Sequence, residues 1–215
     1  MAIARKLAYN VIFNSVLKVT STVVLSLLLV RLITGYLGQE GFGKYATVLA
    51  FFSFFAAISD LGLGPVTARE IAKDGSDEGK ILGNVVALRL VSSALLITIA
   101  PLVVLFFDYP VEVKWGIIIV ACASFFSSLS LVMNGVFQKR IAMDRVAMVE
   151  FIGKLIQVSL IACIVKFNLG FFPIVLSVLV ALAFNVTTVY LISRQFIRFS
   201  LRFDIAFWKA FLKES

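Results

Sequence analysis

Six long apolar segments alternate with short polar stretches along the chain. Each segment is long enough to cross a hydrocarbon core of about 30 Å as a helix, which needs about 20 apolar residues. The stretches between them, such as TGYLGQEGFGK and DYPVEVK, contain the glycines, prolines and charges that are typical of interhelical loops. The pattern predicts an all-α bundle of six transmembrane helices, at about residues 8–33, 45–68, 82–107, 113–137, 146–166 and 171–193.

The basic residues near the ends of these segments fall mostly on one side of the predicted bundle, and only Lys44, Lys114 and Lys166 belong to the other side. Since lysine and arginine are retained in cytoplasmic loops, we expect both termini to face the cytoplasm. The residues expected on the cytoplasmic side are Arg5, Lys6, Arg69, Lys73, Lys80, Lys139, Arg140, Arg145, Arg194, Arg198, Arg202, Lys209 and Lys213.

The last residues, 195–215, differ from the six segments because phenylalanines recur at spacings of three and four with basic residues between them. This pattern predicts an amphipathic helix on the inner surface of the membrane. We therefore divide the chain into a six-helix transmembrane lobe, residues 1–194, and an amphipathic cytoplasmic linker, residues 195–215. The alternative is a frayed polar tail.

Composition supports a membrane protein and excludes several other classes. Of the 215 residues 61% are hydrophobic and 15% are charged, whereas soluble chains have about 45–50% apolar and about 25% charged residues. The net charge of +8 reflects membrane topology, since no soluble basic domain is available to bind nucleic acid. The chain has no histidine, and Cys122 and Cys163 lie within apolar runs, so we expect no metal site and no disulfide.

Polar residues within the first segment form one stripe on a helix, comprising Asn14, Ser15, Lys18, Ser21 and Thr22. Lys18 is expected about 15 Å from the cytoplasmic edge, near the middle of the bilayer. A charge at that depth is costly unless it faces water or a partner. We expect Lys18 to face an internal cavity, with snorkelling to the interface as the alternative.

Asp60 and Arg89 are expected at the same depth, about 12 Å from the cytoplasmic edge, on consecutive antiparallel helices. We predict that they form an ion pair beside the cavity, with Lys18 close to both. Gly62, Gly64 and Pro65 are predicted to break the second helix where it lines this cavity. The alternative is an ion pair that only fixes the register of the two helices.

Glu150, Lys154 and Gln157 have helical spacing and are expected to share one face of the fifth helix. Lys154 is a candidate cavity residue, as is Arg89, and Glu150, like Asp60, is a candidate structural or coupling carboxylate. The alternative is an ion pair at the cytoplasmic edge. Further polar residues of the fourth and sixth segments are expected to form interhelical hydrogen bonds, namely Asn134, Gln138, Asn185, Thr187 and Thr188.

Basic groups within the membrane outnumber acidic ones, which suits an anionic ligand. We find no phosphate-binding loop, no catalytic pair of carboxylates, no activated nucleophile and no metal cluster. The sequence therefore argues against an enzyme, and it indicates no cofactor.

Residues 37–73, LGQEGFGKYATVLAFFSFFAAISDLGLGPVTAREIAK, resemble the signature of bacterial polysaccharide flippases. That signature has LGxxxFGxYA, an aromatic run, DLGL, and a polar stretch with REIA. Its elements here are Leu37 and Gly38, Phe42 and Gly43, Tyr45 and Ala46, Asp60 to Leu63, and Arg69 to Ala72. The superfamily also contains multidrug and toxic compound extrusion antiporters and peptidoglycan lipid flippases.

The resemblance implies translocation of an undecaprenyl-diphosphate-linked oligosaccharide across the bacterial cytoplasmic membrane by alternating access, for surface polysaccharides such as the O-antigen of lipopolysaccharide. It also implies two lobes around a basic cavity, of which this chain would be the N-terminal one. The second lobe would be a missing C-terminal half or a second copy. The sequence does not specify the glycan or the coupling ion, H⁺ or Na⁺. Alternatives are a lobe of a cation-coupled multidrug antiporter and a membrane scaffold that transports nothing.

Overall fold

The computed structural model describes residues 19–60, 62–73, 75–197 and 199–213. All regular elements of this part of the chain are helices. A short π-helical turn, Thr20–Leu25, leads directly into the first α-helix. The helices are α1 (Ser26–Asp60), α2 (Leu63–Ala72), α3 (Glu78–Leu105), α4 (Val111–Lys139), α5 (Met143–Lys166), α6 (Phe171–Ser193) and α7 (Ile205–Lys213).

Five helical stretches of the described chain are long and apolar enough to cross a membrane. The first of them, Val23–Asp60, has 38 residues. A straight helix of that length would extend about 57 Å, nearly twice the thickness of the hydrocarbon core. Gly38 divides it, because its φ of 70° and ψ of −174° are not helical.

The predicted loop between the first two spans is therefore almost entirely helical. Residues 34–44 continue α1 on both sides of Gly38, and the change of direction takes place at that one residue. Only glycine adopts this combination of φ and ψ without strain. The other glycines of the stretch, Gly35, Gly41 and Gly43, remain within the helix.

The predicted break near Asp60 is confirmed, although its position differs from the prediction. Helix α1 ends at Asp60, and Gly62 has a left-handed φ of 71° before α2 begins. Gly64 and Pro65 do not break a helix, since both lie in the first turn of α2. Proline is tolerated there because the first backbone N–H groups of a helix have no partner within it. The second predicted span, 45–68, consequently comprises the end of α1 and the start of α2.

Helix α4 is the centre of the bundle and contacts α1, α2, α3 and α6. Glycines permit two of these close approaches: a Cβ on Gly116 would lie 2.7 Å from a methyl group of Val48, and a Cβ on Gly135 would lie 3.3 Å from the Cα of Ala68. One apolar core joins α1 to the end of α3, the first part of α4, and α5 and α6. A second core lies around α2, the start of α3 and the end of α4.

Polar contacts join neighbouring segments at each end of the bundle. At one end, the Tyr36 hydroxyl donates to Asn168 Oδ1 at 2.7 Å, and Lys44 pairs with Glu112 at 3.1 Å. At the opposite end, Lys139 pairs with Glu78 at 2.8 Å and donates to the carbonyl of Ile71 at 2.7 Å. The second end contains basic residues that were assigned to one side from the sequence. That this side is cytoplasmic stays a prediction.

The C-terminal segment differs from the predicted helix over 195–215. Among the described residues of this segment only α7 is helical, and residues 199–204 form no regular element and lie along the start of α3. The backbone N–H of Arg202 donates to the carbonyl of Gly83 at 3.3 Å, and that of Asp204 donates to Asn84 Oδ1 at 3.0 Å. Asp204 then accepts hydrogen bonds from the first N–H groups of α7. These contacts compete with a helix, so the helical prediction is wrong for residues 195–197 and 199–204.

Several aromatic residues of this segment pack on protein. Phe211 is buried in the second core and stacks on Phe207, with ring centroids 5.3 Å apart. The Trp208 indole N–H donates to the carbonyl of Asn84 at 3.0 Å. Phe203 and Ile205 are exposed. The amphipathic pattern of α7 therefore serves docking to the bundle as well as any contact with lipid.

Candidate transport cavity

Two adjoining cavities lie between the long helices. The first, of about 310 Å³, is open on one side, is lined by α1, α5 and α6 and contains Lys154; we call it the lysine cavity. The second, of about 250 Å³, lies between α4, α5 and α6 and contains Asn134; we call it the amide cavity. Glu150, Leu182 and Asn185 line both. The two cavities therefore form one polar depression in an otherwise apolar bundle.

Lys154 is the basic residue of the lysine cavity. It follows the start of α5 by about 16 Å, close to the middle of a bilayer. Within the described residues it has no hydrogen-bond or ion-pair partner. Lys154 is half-buried, and an unpaired cation within a membrane bundle is costly and is typical of functional positions. The geometry thus makes Lys154 available to an anion that enters the cavity.

Glu150, Lys154 and Gln157 line the lysine cavity together, so the predicted shared face is confirmed. The alternative interpretation, an ion pair of Glu150 with Lys154, is not present among the described residues. Gln157 is only 7% exposed, and its amide makes no hydrogen bond to any described residue. Because buried amides are normally hydrogen-bonded, the partner of Gln157 is expected to come from the contents of the cavity.

The predicted pairing of Asp60 with Arg89 is confirmed. Arg89 Nη2 donates to Asp60 Oδ1 at 2.8 Å, and Nη1 donates to the backbone carbonyl of Ser59. That carbonyl is available because α1 ends at Asp60 and the last carbonyls of a helix have no partner within it. The guanidinium of α3 therefore holds the end of α1.

Arg89 differs from its expected position beside a cavity. Its side chain is 0% exposed and lines neither the lysine cavity nor the amide cavity. The Asp60 carboxylate is 33% exposed. The helix break at Gly62 likewise lies outside the lining of both cavities. The pair and the break belong to the packing between α1, α2 and α3, which corresponds to the register-fixing alternative.

Some predicted site residues are not described by the structure. Asn14 and Lys18 lie outside the described residues. Ser21 and Thr22 belong to the π-helical turn, but their side chains are not described. Their assignment to a cavity stays a prediction. Arg31, another basic residue of the first apolar segment, is exposed on α1.

Several lining residues were missed as site residues by the sequence reasoning. Asn134 and Asn185 were expected to bond to neighbouring helices, but their Oδ1 atoms are buried without a partner among the described residues. A helical spacing on α4 could have identified part of this set, since Ser127, Ser130 and Asn134 share one face. The lining residues that were missed are Ser53, Ser127, Ser130, Asn134, Gln157 and Asn185.

Comparison with known proteins identifies the family. A model of the family described as polysaccharide biosynthesis protein matches residues 7–215. The chain belongs to this family. A search of curated proteins and a search of solved structures each gave no match to this chain. This polysaccharide biosynthesis protein thus combines a bundle of apolar helices with two adjoining cavities that contain polar residues. The cavities lie between α1, α4, α5 and α6.

Proposed function

We propose that this chain is one lobe of a flippase that moves an undecaprenyl-diphosphate-linked oligosaccharide across the bacterial cytoplasmic membrane by alternating access. The observation that carries the proposal is the unpaired Lys154 in a cavity of a polysaccharide biosynthesis protein. The lobe would have six transmembrane helices, with the division of α1 at Gly38 separating the first from the second. Both termini would face the cytoplasm, and the protein would act as a transporter and not as an enzyme.

Lys154 would attract the diphosphate of the lipid carrier. A charge in the low-dielectric membrane interior interacts strongly with an opposite charge, because little water screens the pair. The diphosphate would in turn compensate the lysine for its lost hydration. Gln157 lines the same cavity, and its amide would donate hydrogen bonds to the phosphate oxygens.

A second lobe would face the depression and complete the transport path. It would be a following part of the protein or a second copy of this chain. Transporters with parallel repeats bind substrate between their halves, near the middle of the membrane. The position of Lys154 on α5 agrees with such a location.

A cation-coupled antiporter of the same superfamily is the second candidate, because Glu150 lines both cavities and offers a carboxylate at depth. Expression in a strain that lacks its own polysaccharide flippase separates the candidates. A flippase would restore surface polysaccharide, measured on whole cells with a lectin or antibody. Restored efflux of a cationic dye without surface polysaccharide would favour the antiporter. Absence of both, with the protein present in the membrane, would favour a scaffold.

A further inference from the structure

The buried polar atoms that lack partners are concentrated in two places. Among the described residues, Ser59 Oγ, Arg89 Nε and Ser93 Oγ lie around the buried arginine. Ser130 Oγ, Asn134 Oδ1 and Asn185 Oδ1 belong to residues that line the amide cavity. Buried polar groups are nearly always hydrogen-bonded in native proteins, so an unmatched cluster points to a missing partner. In the amide cavity, that partner has room to enter.

The serine and asparagine side chains that line the amide cavity come from two helices, α4 and α6. Ser127, Ser130 and Asn134 recur at spacings of three and four on α4 and therefore share one face. Asn185 comes from α6, and its side-chain amide packs against Gly153 of α5. A Cβ on Gly153 would collide with the Asn185 amide. Glycine at that position thus permits Asn185 to reach the cavity.

The chemistry of these groups favours a ligand rich in hydroxyl groups. Asparagine amides both donate and accept hydrogen bonds, and serine hydroxyls do the same. A sugar hydroxyl also donates and accepts, so it matches each of these side chains. Phosphate accepts only, and it would leave the acceptor oxygens of Asn134 and Asn185 without donors. Lys154, which suits phosphate, lines the adjoining lysine cavity and not the amide cavity.

We propose that Ser127, Ser130, Asn134 and Asn185 form a sugar-binding subsite for the glycan, next to a diphosphate subsite at Lys154. This inference rests on the proposed function, and it adds a division of the site into a part lined by amides and hydroxyls and a part that contains the lysine, with Glu150 lining both. The sugars nearest to the diphosphate would occupy the amide cavity, since the two cavities share Glu150, Leu182 and Asn185.

The test uses the strain complemented by the wild-type chain. Mild acid releases the free oligosaccharide from its lipid-linked precursor, which gives a probe that has the sugars without phosphate or lipid. The melting temperature of the chain in lipid nanodiscs is measured with this oligosaccharide and, separately, with inorganic pyrophosphate. A ligand that binds the folded state raises the melting temperature. We expect the oligosaccharide and pyrophosphate each to raise the melting temperature of the wild-type chain.

The variants should separate the two subsites. Asn134→Leu with Asn185→Leu should abolish the shift by oligosaccharide and keep the shift by pyrophosphate, whereas Lys154→Gln should do the reverse. Ser130→Ala should weaken the oligosaccharide shift. Ser128→Ala is the matched control, because the Ser128 hydroxyl already donates to the carbonyl of Phe125 on the same helix. In the complemented strain, the double variant should lower surface polysaccharide by at least about tenfold.

Two outcomes would overturn the inference while the proposed function stands. One is complementation by the wild type without any oligosaccharide shift. The other is an equal oligosaccharide shift in the wild type and the double variant. Failure of the wild type to restore surface polysaccharide would instead remove the proposed function, and this inference with it.

Discussion

Arg89 on α3 donates a hydrogen bond to the Asp60 carboxylate at 2.8 Å, at the residue where α1 ends. The same guanidinium donates a hydrogen bond to the backbone carbonyl of Ser59. One side chain therefore pairs with the carboxylate charge of Asp60 and also supplies a donor to a carbonyl at the end of the helix. Gly64 adjoins the pair, since a Cβ there would lie 3.3 Å from Asp60 Oδ1. The pair therefore fixes the junction of α1 and α2 against α3.

Replacement of Asp60 by alanine should destabilise the protein, because it leaves the buried Arg89 charge without its counter-ion. Breaking a fully buried pair costs about 3–5 kcal/mol. We expect a smaller loss, on the order of 2 kcal/mol, because the Asp60 side chain is 33% exposed and partly screened by water. The measurement is the free energy of unfolding in mixed micelles.

Asp60→Asn is the matched control, since it keeps an acceptor oxygen for Arg89 and should lose less stability. The double variant Asp60→Arg with Arg89→Asp should recover part of the stability lost in either single variant. Equal stability of the wild type and Asp60→Ala would contradict a structural role for the pair.

Gly38→Ala should destabilise the folded protein at the kink in α1. Gly38 has φ of 70° and ψ of −174°, a conformation that only glycine adopts freely. The expected loss in the free energy of unfolding is about 1–3 kcal/mol. Gly35→Ala is the control: it lies in the same helix, and its new Cβ would meet no atom within 4 Å. That variant should be neutral or up to about 1 kcal/mol more stable. Identical effects of the two substitutions would mean that the backbone at Gly38 is not held in this conformation.

Gly83→Ala should release the C-terminal segment from α3, because the added Cβ would collide with the carbonyl of Ser200. Trypsin should then cleave after Arg202 faster than in the wild type, as followed by mass spectrometry. Gly43→Ala, where a Cβ meets open space, should leave the cleavage rate unchanged. An unchanged rate in Gly83→Ala would show that residues 199–204 do not depend on this contact.

Lys154→Gln should separate stability from transport. The free energy of unfolding should stay the same or rise, because the substitution removes a half-buried charge that has no partner among the described residues. Surface polysaccharide in the complemented strain should fall by at least about tenfold, since a charge-assisted contact to the diphosphate is lost. Lys154→Arg should retain part of the activity. Lys166→Gln is the control, because Lys166 is the exposed last residue of α5. This variant should keep normal surface polysaccharide. Full activity of Lys154→Gln would remove Lys154 from the transport path.

The location of the long apolar helices could be read from the sequence, because burial in lipid demands continuous apolar runs of a fixed length. Helices α3 to α6 lie close to the segments predicted for them. The pairing of Asp60 with Arg89 was also predictable, since consecutive antiparallel helices bring residues of equal depth together. The family resemblance at residues 37–73 agrees with the family that matches the chain.

The ends of the first helices could not be predicted from composition. Glycines cluster on both sides of Gly38, but among them only Gly38 has a non-helical backbone. Tyr36 and Lys44 on either side of it contact Asn168 and Glu112, which are distant in sequence. The course of residues 199–204 likewise depends on Gly83 and Asn84, which are distant in sequence.

Sequence by itself determined that this chain is a bundle of membrane helices with polar groups at depth, because the period and length of apolar runs are local properties. Only the tertiary structure decided which of those groups share a cavity. Arg89 and Lys154 are both basic residues within apolar runs, yet one is enclosed with its counter-ion and the other lines open space. The difference arises from the packing of helices around each side chain, and packing depends on all the neighbouring residues at once.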